Sequence, residues 1–221
     1  MDDPELDPAL HEEALVALAR INRVSLTDRR VSREVVRLWR AGERPVRVLD
    51  VGCGDADVLV RVGLRARARG IDVELHGCDL SEVALARART RAAAAGVALE
   101  LSRIDVTREP LPAGGFSLVT CSLFLHHLPE DAAATLLGRM AAAGRRMLVQ
   151  DLRRTRLGFL LAWAGVNGLT RSPIARVDGL RSVRAAFTRP EAERLCERAG
   201  LPNARVATCW PQRLLIRHPS G

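Results

Sequence analysis

The chain has 221 residues, enough for one doubly wound α/β domain with a modest appendage and short for two full domains. Hydrophobic residues make up 48% and charged residues 27%, a balance that excludes a disordered or fibrous protein. The net charge of +8 invites a nucleic-acid partner, but every basic residue is arginine, spread over all segments, and only 3% of residues are aromatic, so single-strand stacking is poorly supplied and nucleic acid is disfavoured.

The acidic start "MDDPELDPAL" has neither a basic nor an apolar leader region, so a cytoplasmic location is expected. Two amphipathic helices follow, in "HEEALVALARINRVS" and "DRRVSREVVRLWRAG", with Asp28 as the expected cap of the second and Gly42 as its stop. From Val46 onward strands and helices alternate, the pattern of a parallel sheet covered on both faces. Strands are predicted at 46–51, 72–78, 98–103, 116–122 and 146–150, and helices at about 57–69, 81–95 and 130–143. Gly70, Gly96 and Gly144 occupy the places of helix C-caps.

Beyond Asp151 the order loosens. The apolar stretch Leu157 to Leu169 is too short for a membrane span, which needs about 20 apolar residues. It suits one more core helix, or else a cover for a hydrophobic pocket or a helix resting on a membrane surface. "TRPEAERLCERAG" is a helix with Thr188 as N-cap, Pro190 in the first turn and Glu191 at the capping-box position. "ARVATCW" and "RLLIRH" form a closing hairpin around Pro211. The five cysteines, Cys53, Cys78, Cys121, Cys196 and Cys209, show no paired or metal spacing, so reduced thiols and no metal are expected.

The chemistry concentrates at "VRVLDVGCGDADVLVRV". A β-branched strand ends in Asp50, Gly52 and Gly54 follow, and an apolar helix begins. Such a turn holds either a dinucleotide or S-adenosylmethionine. The dinucleotide fingerprint wants a third glycine where this chain has Asp57, and a pyrophosphate wants a bare helix N-terminus that Asp55 and Asp57 would oppose. A sulfonium and an ammonium suit acids.

"LDVGCGDAD" resembles motif I of the class I S-adenosylmethionine-dependent methyltransferases, with Asp50, Gly52 and Gly54 in its cofactor-binding positions and Ala56 where that family often has glycine. "GCDLSEVALARAR" is similar to the family's second acid segment, which implies that Asp79 bonds the ribose hydroxyls with Leu80 beside it. The resemblance further places Asp105 at the adenine amino group, with Val106 supplying a backbone contact, and Ser122 at the cofactor's edge after the fourth strand. "FSLVTCSLFLHHLPED" looks like the L-H-H-L segment of the ubiquinone and menaquinone methyltransferases.

The fold so implied is a Rossmann-like, seven-stranded, mostly parallel sheet with an antiparallel C-terminal hairpin. Residues 1–44 would form a helical cap, 45–221 the methyltransferase domain and 152–187 a lid. His126, His127 and Asp151 are the candidate catalytic residues: either histidine can serve as base or orient the acceptor, and Asp151 can orient a histidine or hold a hydroxyl. The bland alternatives are a helix-capping histidine and an Asp151 paired with Arg153 or Arg154. Asp79 and Asp105 can equally be turn caps. Cys121 lacks the neighbouring proline of pyrimidine methyltransferases and reads as structural. No Asp-Asn follows the fifth strand as in catechol-type metal enzymes, and no Pro-Pro-aromatic segment follows the fourth as in base methyltransferases.

The activity implied is methylation of a small apolar acceptor, phenolic or quinone-like, with S-adenosylhomocysteine as product. Oxygen is favoured and activated ring carbon is close behind. An RNA methyltransferase, a nicotinamide oxidoreductase and a non-catalytic relic are the competing classes.

Overall fold

In the computed structural model, residues 26–169 and 173–219 are described. Five strands run parallel: β1 (Val46–Val51), β2 (Val73–Asp79), β3 (Glu100–Arg103), β4 (Leu118–Ser122) and β5 (Arg146–Leu152). The hairpin β6 (Arg205–Cys209) and β7 (Arg213–Pro219) closes one edge, β7 lying antiparallel to β5. The seven strands take the order β3-β2-β1-β4-β5-β7-β6. This is the mostly parallel sheet that the alternation predicts.

Helices α1 (Thr27–Arg40), α2 (Asp57–Arg67) and α3 (Glu82–Ala95) cover one face, where Val31, Val35, Leu59, Val62 and Ala88 meet Val48, Leu118, Leu148 and Leu215. Helices α4 (Glu130–Ala143) and α7 (Arg189–Arg198) cover the other, with Leu136, Leu137, Met140 and Leu195 on Leu49, Val119, Val149 and Ile216. The central strands are buried on both faces, which is why they read as nearly continuous Val and Leu runs. The crossovers change face between β1 and β4. A crevice for a ligand opens outside the carboxyl ends of the strands at such a switch.

The expected boundaries shift by a residue or two. β3 starts at Glu100, β4 at Leu118, and β5 continues to Leu152 because β7 pairs with it as far as Arg213. Between β5 and α7 the chain forms two helices, α5 (Arg156–Leu169) and α6 (Pro173–Ala185). The helix expected within residues 11–25 lies outside the described residues, as does most of the cap segment 1–44.

Two expectations are corrected. Asp28 does not cap α1: it lies inside the first turn, and its buried carboxylate accepts two hydrogen bonds from Arg65 of α2, at 2.9 and 2.7 Å. That pair fastens α1 to α2, and Leu26 holds the cap position with a φ of 55°. Gly144 is not a left-handed cap either, since its backbone is extended. It is glycine because a Cβ there would stand 2.6 Å from Val119 Cγ2 and 3.0 Å from the Phe116 carbonyl oxygen. The capping box of α7 is present as expected: the Thr188 hydroxyl accepts from the Glu191 N–H while Glu191 accepts from the Thr188 N–H at 2.7 Å.

Candidate functional site

The turn after β1 is held by its neighbour. The N–H groups of Gly52 and Cys53 both donate to the Cys78 carbonyl of β2, at 2.9 and 3.0 Å, and the Gly54 N–H donates to Asp79 Oδ2 at 2.8 Å. Gly52 and Gly54 have φ of 68° and 56°, values that glycine adopts without a steric penalty. Gly52 has a second reason to be glycine, because a Cβ would lie 2.6 Å from Cγ of the Phe124 ring. A Cβ on Gly54 would meet nothing within 4 Å. Ala56 also takes a positive φ, 55°, and is wholly buried at the start of α2. Crowding at this departure from the family pattern is therefore a backbone cost of roughly 1 kcal/mol.

Asp55 and Asp57 do not stand free at the mouth of α2. Asp57 is bound by Arg61 at 2.7 Å and Asp55 by Arg91. Their repulsion of a pyrophosphate is thus largely neutralised, and the case against a dinucleotide rests on the rest of the turn.

Asp50 sits on β1 beneath the turn, 2% exposed. Its carboxylate accepts one hydrogen bond, from the Thr120 hydroxyl of β4 at 2.7 Å, and meets no cation among the described residues. Burial pushes its pKa up to about 7, the Thr120 bond opposes this, and the Asp79 carboxylate adds to it. On the adjacent strand β4, two residues beyond Thr120, Ser122 Oγ is buried without a hydrogen-bond partner among the described residues. A buried carboxylate without a counter-charge beside an unpaired hydroxyl fits a ligand that brings a cationic, hydrogen-bonding end.

The outer cofactor positions form a looser arc. Asp79 is half-buried; besides Gly54 it accepts from the Ser81 N–H at 2.9 Å, so its turn-capping role is real and uses one bond per oxygen. Leu80 is 54% exposed beside it, an apolar surface at the crevice rim. Asp105 turns Oδ1 onto the Thr107 N–H and hydroxyl at 3.0 and 2.5 Å. Those Thr107 bonds, with Arg108 nearby, hold its pKa below the ordinary value. Val106 is buried, its carbonyl accepts from Arg139 at 3.0 Å, and its N–H has no acceptor among the described residues.

The candidate catalytic residues come together. A 3-10 turn, Leu125–His127, follows β4 and lays His126 against the end of β5. His126 Nδ1 is 2.6 Å from Asp151 Oδ1, and the His126 N–H donates to Asp151 Oδ2 at 2.9 Å. The Leu152 N–H donates to Oδ1 at 2.6 Å. Both side chains are 3% exposed. Burial alone would raise the Asp151 pKa, but the imidazole and the two backbone N–H groups outweigh it and hold it below the usual carboxylate value. With Asp151 ionised, Nδ1 carries the hydrogen and Nε2 is the basic nitrogen. His127 stacks on His126 with ring centroids 4.2 Å apart. Asp151 does not pair with Arg153 or Arg154; those bind Gln212 and Glu191.

Cys121 is fully buried, and burial with the nearby Asp151 carboxylate pushes its thiol well up, the behaviour of a structural residue rather than a nucleophile. Thr120, Phe124, Gln150 and Arg213 are the site residues that sequence reasoning missed. Thr120, Gln150 and Arg213 are placed by pairing between distant strands, and only Phe124, adjoining the histidine segment, left any signal. Among the described residues no cluster of three or more potential metal ligands occurs, and no helix is long and apolar enough to cross a membrane.

The sheet order and the glycine turn after β1 define a Rossmann-like fold. Residues 48–146 match the family described as "Methyltransferase domain". The chain is 30% identical over 147 residues to a ubiquinone biosynthesis O-methyltransferase of Marinobacter nauticus, covering 65% of this chain and 55% of that one. The chain thus spans about half the length of the curated relatives it matches. A plantazolicin methyltransferase solved with a triazolic desmethylPZN analog and SAH shares the fold at a TM-score of 0.74 and 14% identity, with coverage of 96% and 90%. The magnesium protoporphyrin IX methyltransferase of Synechocystis PCC 6803 aligns at 0.59 and 17%, with coverage of 99% and 90%. Residues 48–146 thus carry the similarity to a methyltransferase domain.

Proposed function

We propose that the protein methylates a small apolar acceptor bearing a hydroxyl, phenolic or quinone-like, with O-methylation as the main reaction and C-methylation of an activated ring as the alternative. The observation that carries this reading is the buried His126–Asp151 pair set one residue segment beyond the cofactor crevice. Asp50, Gly52, Gly54, Asp79 and Ser122 would hold the ribose and amino-acid end, while Leu80, Asp105 and Val106 would flank the adenine. S-adenosylmethionine, when bound, supplies an electrophilic methyl group to an acceptor held in line with it.

Asp151 fixes the imidazole and stabilises its protonated form, and His126 Nε2 takes the acceptor's proton. His127 packs on His126 and restricts its rotation. Helix α6 lies against the 3-10 turn, and α5 brings Phe159 and Leu161 to the same inserted segment, which supports the role of 152–187 as a lid over an apolar acceptor. A cytoplasmic location accords with this reading.

The test is methyl transfer from labelled S-adenosylmethionine to a panel of phenols, with product analysis for ether or ring methylation. Transfer to phenolic oxygen that falls about 100-fold or more in His126→Ala supports the reading. Transfer to no phenol, or transfer insensitive to His126, overturns it.

A further inference from the structure

We infer that the β5–β7 end of the site is an oxyanion subsite centred on Arg213, so that the acceptor is an acid, a hydroxylated ring carrying a carboxylate. This deepens the acceptor class and rests on the methyltransferase reading above.

Arg213 is 5% exposed, yet its Nε and Nη1 have no hydrogen-bond partner among the described residues. A buried guanidinium left unpaired is costly and calls for an anion. Burial presses its pKa down to about 10, and the nearest carboxylate acting on it, Asp151, is not within ion-pair distance and is already engaged by His126 and Leu152. Arg30 faces it as a second cation and adds to the demand for negative charge.

The neighbours share the anomaly. Ser122 lies opposite Gln150 in the β4–β5 register, Gln150 opposite Leu215, and Leu152 opposite Arg213. Side chains alternate along a strand, so Ser122, Gln150 and Arg213 share one face of three adjacent strands. Gln150 is 2% exposed; its amide N–H reaches the Thr27 carbonyl at 3.4 Å, and its Oε1 has no donor. Ser122 Oγ is likewise unpaired. One face therefore carries, from β4 to β7, a hydroxyl, an amide acceptor and a cation, all buried and all unpaired among the described residues.

The lane begins on β4, beside the Asp50–Thr120 pair, and ends on β7 two strand spacings away, about 10 Å. A ligand with a donor for Gln150 and a carboxylate for Arg213 satisfies both of these groups, while Ser122 stays with the cofactor; a neutral apolar phenol leaves the guanidinium unpaired.

The test titrates SAH-saturated protein calorimetrically with 2-, 3- and 4-hydroxybenzoate and 4-hydroxycinnamate, each beside its methyl ester. SAH binding itself checks the methyltransferase reading separately. At least one acid is expected to bind about 30-fold more tightly than its ester. Arg213→Gln should remove that difference while keeping SAH affinity and ester affinity, and Arg213→Lys should restore part of it. Equal binding of every acid and its ester, or an acid preference that survives in Arg213→Gln, would overturn the subsite. Loss of SAH binding in the wild type would instead overturn the reading on which it rests.

Discussion

Two aspartates mark the two halves of this site, Asp50 at the end of β1 and Asp151 at the end of β5. Each is 2% exposed, and desolvation pushes both carboxyls toward the neutral form. Asp50 has one hydroxyl as partner, and its pKa rises to about 7. Asp151 has an imidazole and two backbone N–H groups, and its pKa falls. Burial raises both, and the partners decide the sign. The β5 half is complete in itself and ready to handle a proton. The β1 half lacks a cation, which a cofactor ammonium would bring.

The largest expected effect falls on the self-sufficient half. Asp151→Asn should cut methyl transfer by about 100-fold or more, because the amide no longer fixes the imidazole or supports its charge, while SAH affinity stays within about twofold. Separate kcat and SAH binding measurements show it; an equal loss in both would mean that the two halves are not independent.

The pH dependence separates them next. Asp50 raised to about 7 means that the ligand-free site holds a proton below that value, which a cationic ligand must displace. SAH affinity should therefore rise on the order of tenfold from pH 6 to pH 8, and Asp50→Asn should flatten the slope. For stability the signs are opposite. The Asp50 contribution is greatest below the unfolded value of 3.8 and diminishes as pH rises to about 7. The Asp151 contribution is present above the ordinary carboxylate value and is lost as pH falls through its lowered one. Asp50→Asn should consequently raise the melting temperature at pH 8 by about 2–4 °C while weakening SAH.

The glycine turn gives a smaller pair. Gly52→Ala must displace the Phe124 ring and force a left-handed alanine, with an expected loss of about 2–3 kcal/mol in denaturant unfolding. Gly54→Ala meets open space, so its cost should stay near 1 kcal/mol while SAH binding weakens more than stability does. Smallest of all, Ala56→Gly should stabilise by roughly 0.5 kcal/mol, relief of the positive φ being offset in part by glycine's entropy.

What could be read from the chain differs between these halves for a physical reason. Asp50, Gly52, Gly54 and Asp79 belong to a strand, turn, helix and strand whose signals are local, and their spacing carries the motif. The helix boundaries at Asp57, Glu130 and Ala143 are local too. Thr120 reaches Asp50 across 70 residues and Gln150 reaches Thr27 across 123, so nothing in their neighbourhoods betrays them. Asp28 has the composition of a cap, but Arg65, 37 residues away, claims its carboxylate. Gly144 follows a helix as a cap would, and only the packed sheet reveals that the constraint is Val119. The pairing of His126 with Asp151 stood as one option among several until β4 and β5 were side by side.

The most direct measurement is isothermal titration of the purified protein with SAH and, in parallel, with NAD. Micromolar binding of SAH alone, weakened about tenfold or more in Asp79→Asn, is the expected result. Binding of NAD alone would contradict it and make the turn after β1 a dinucleotide site.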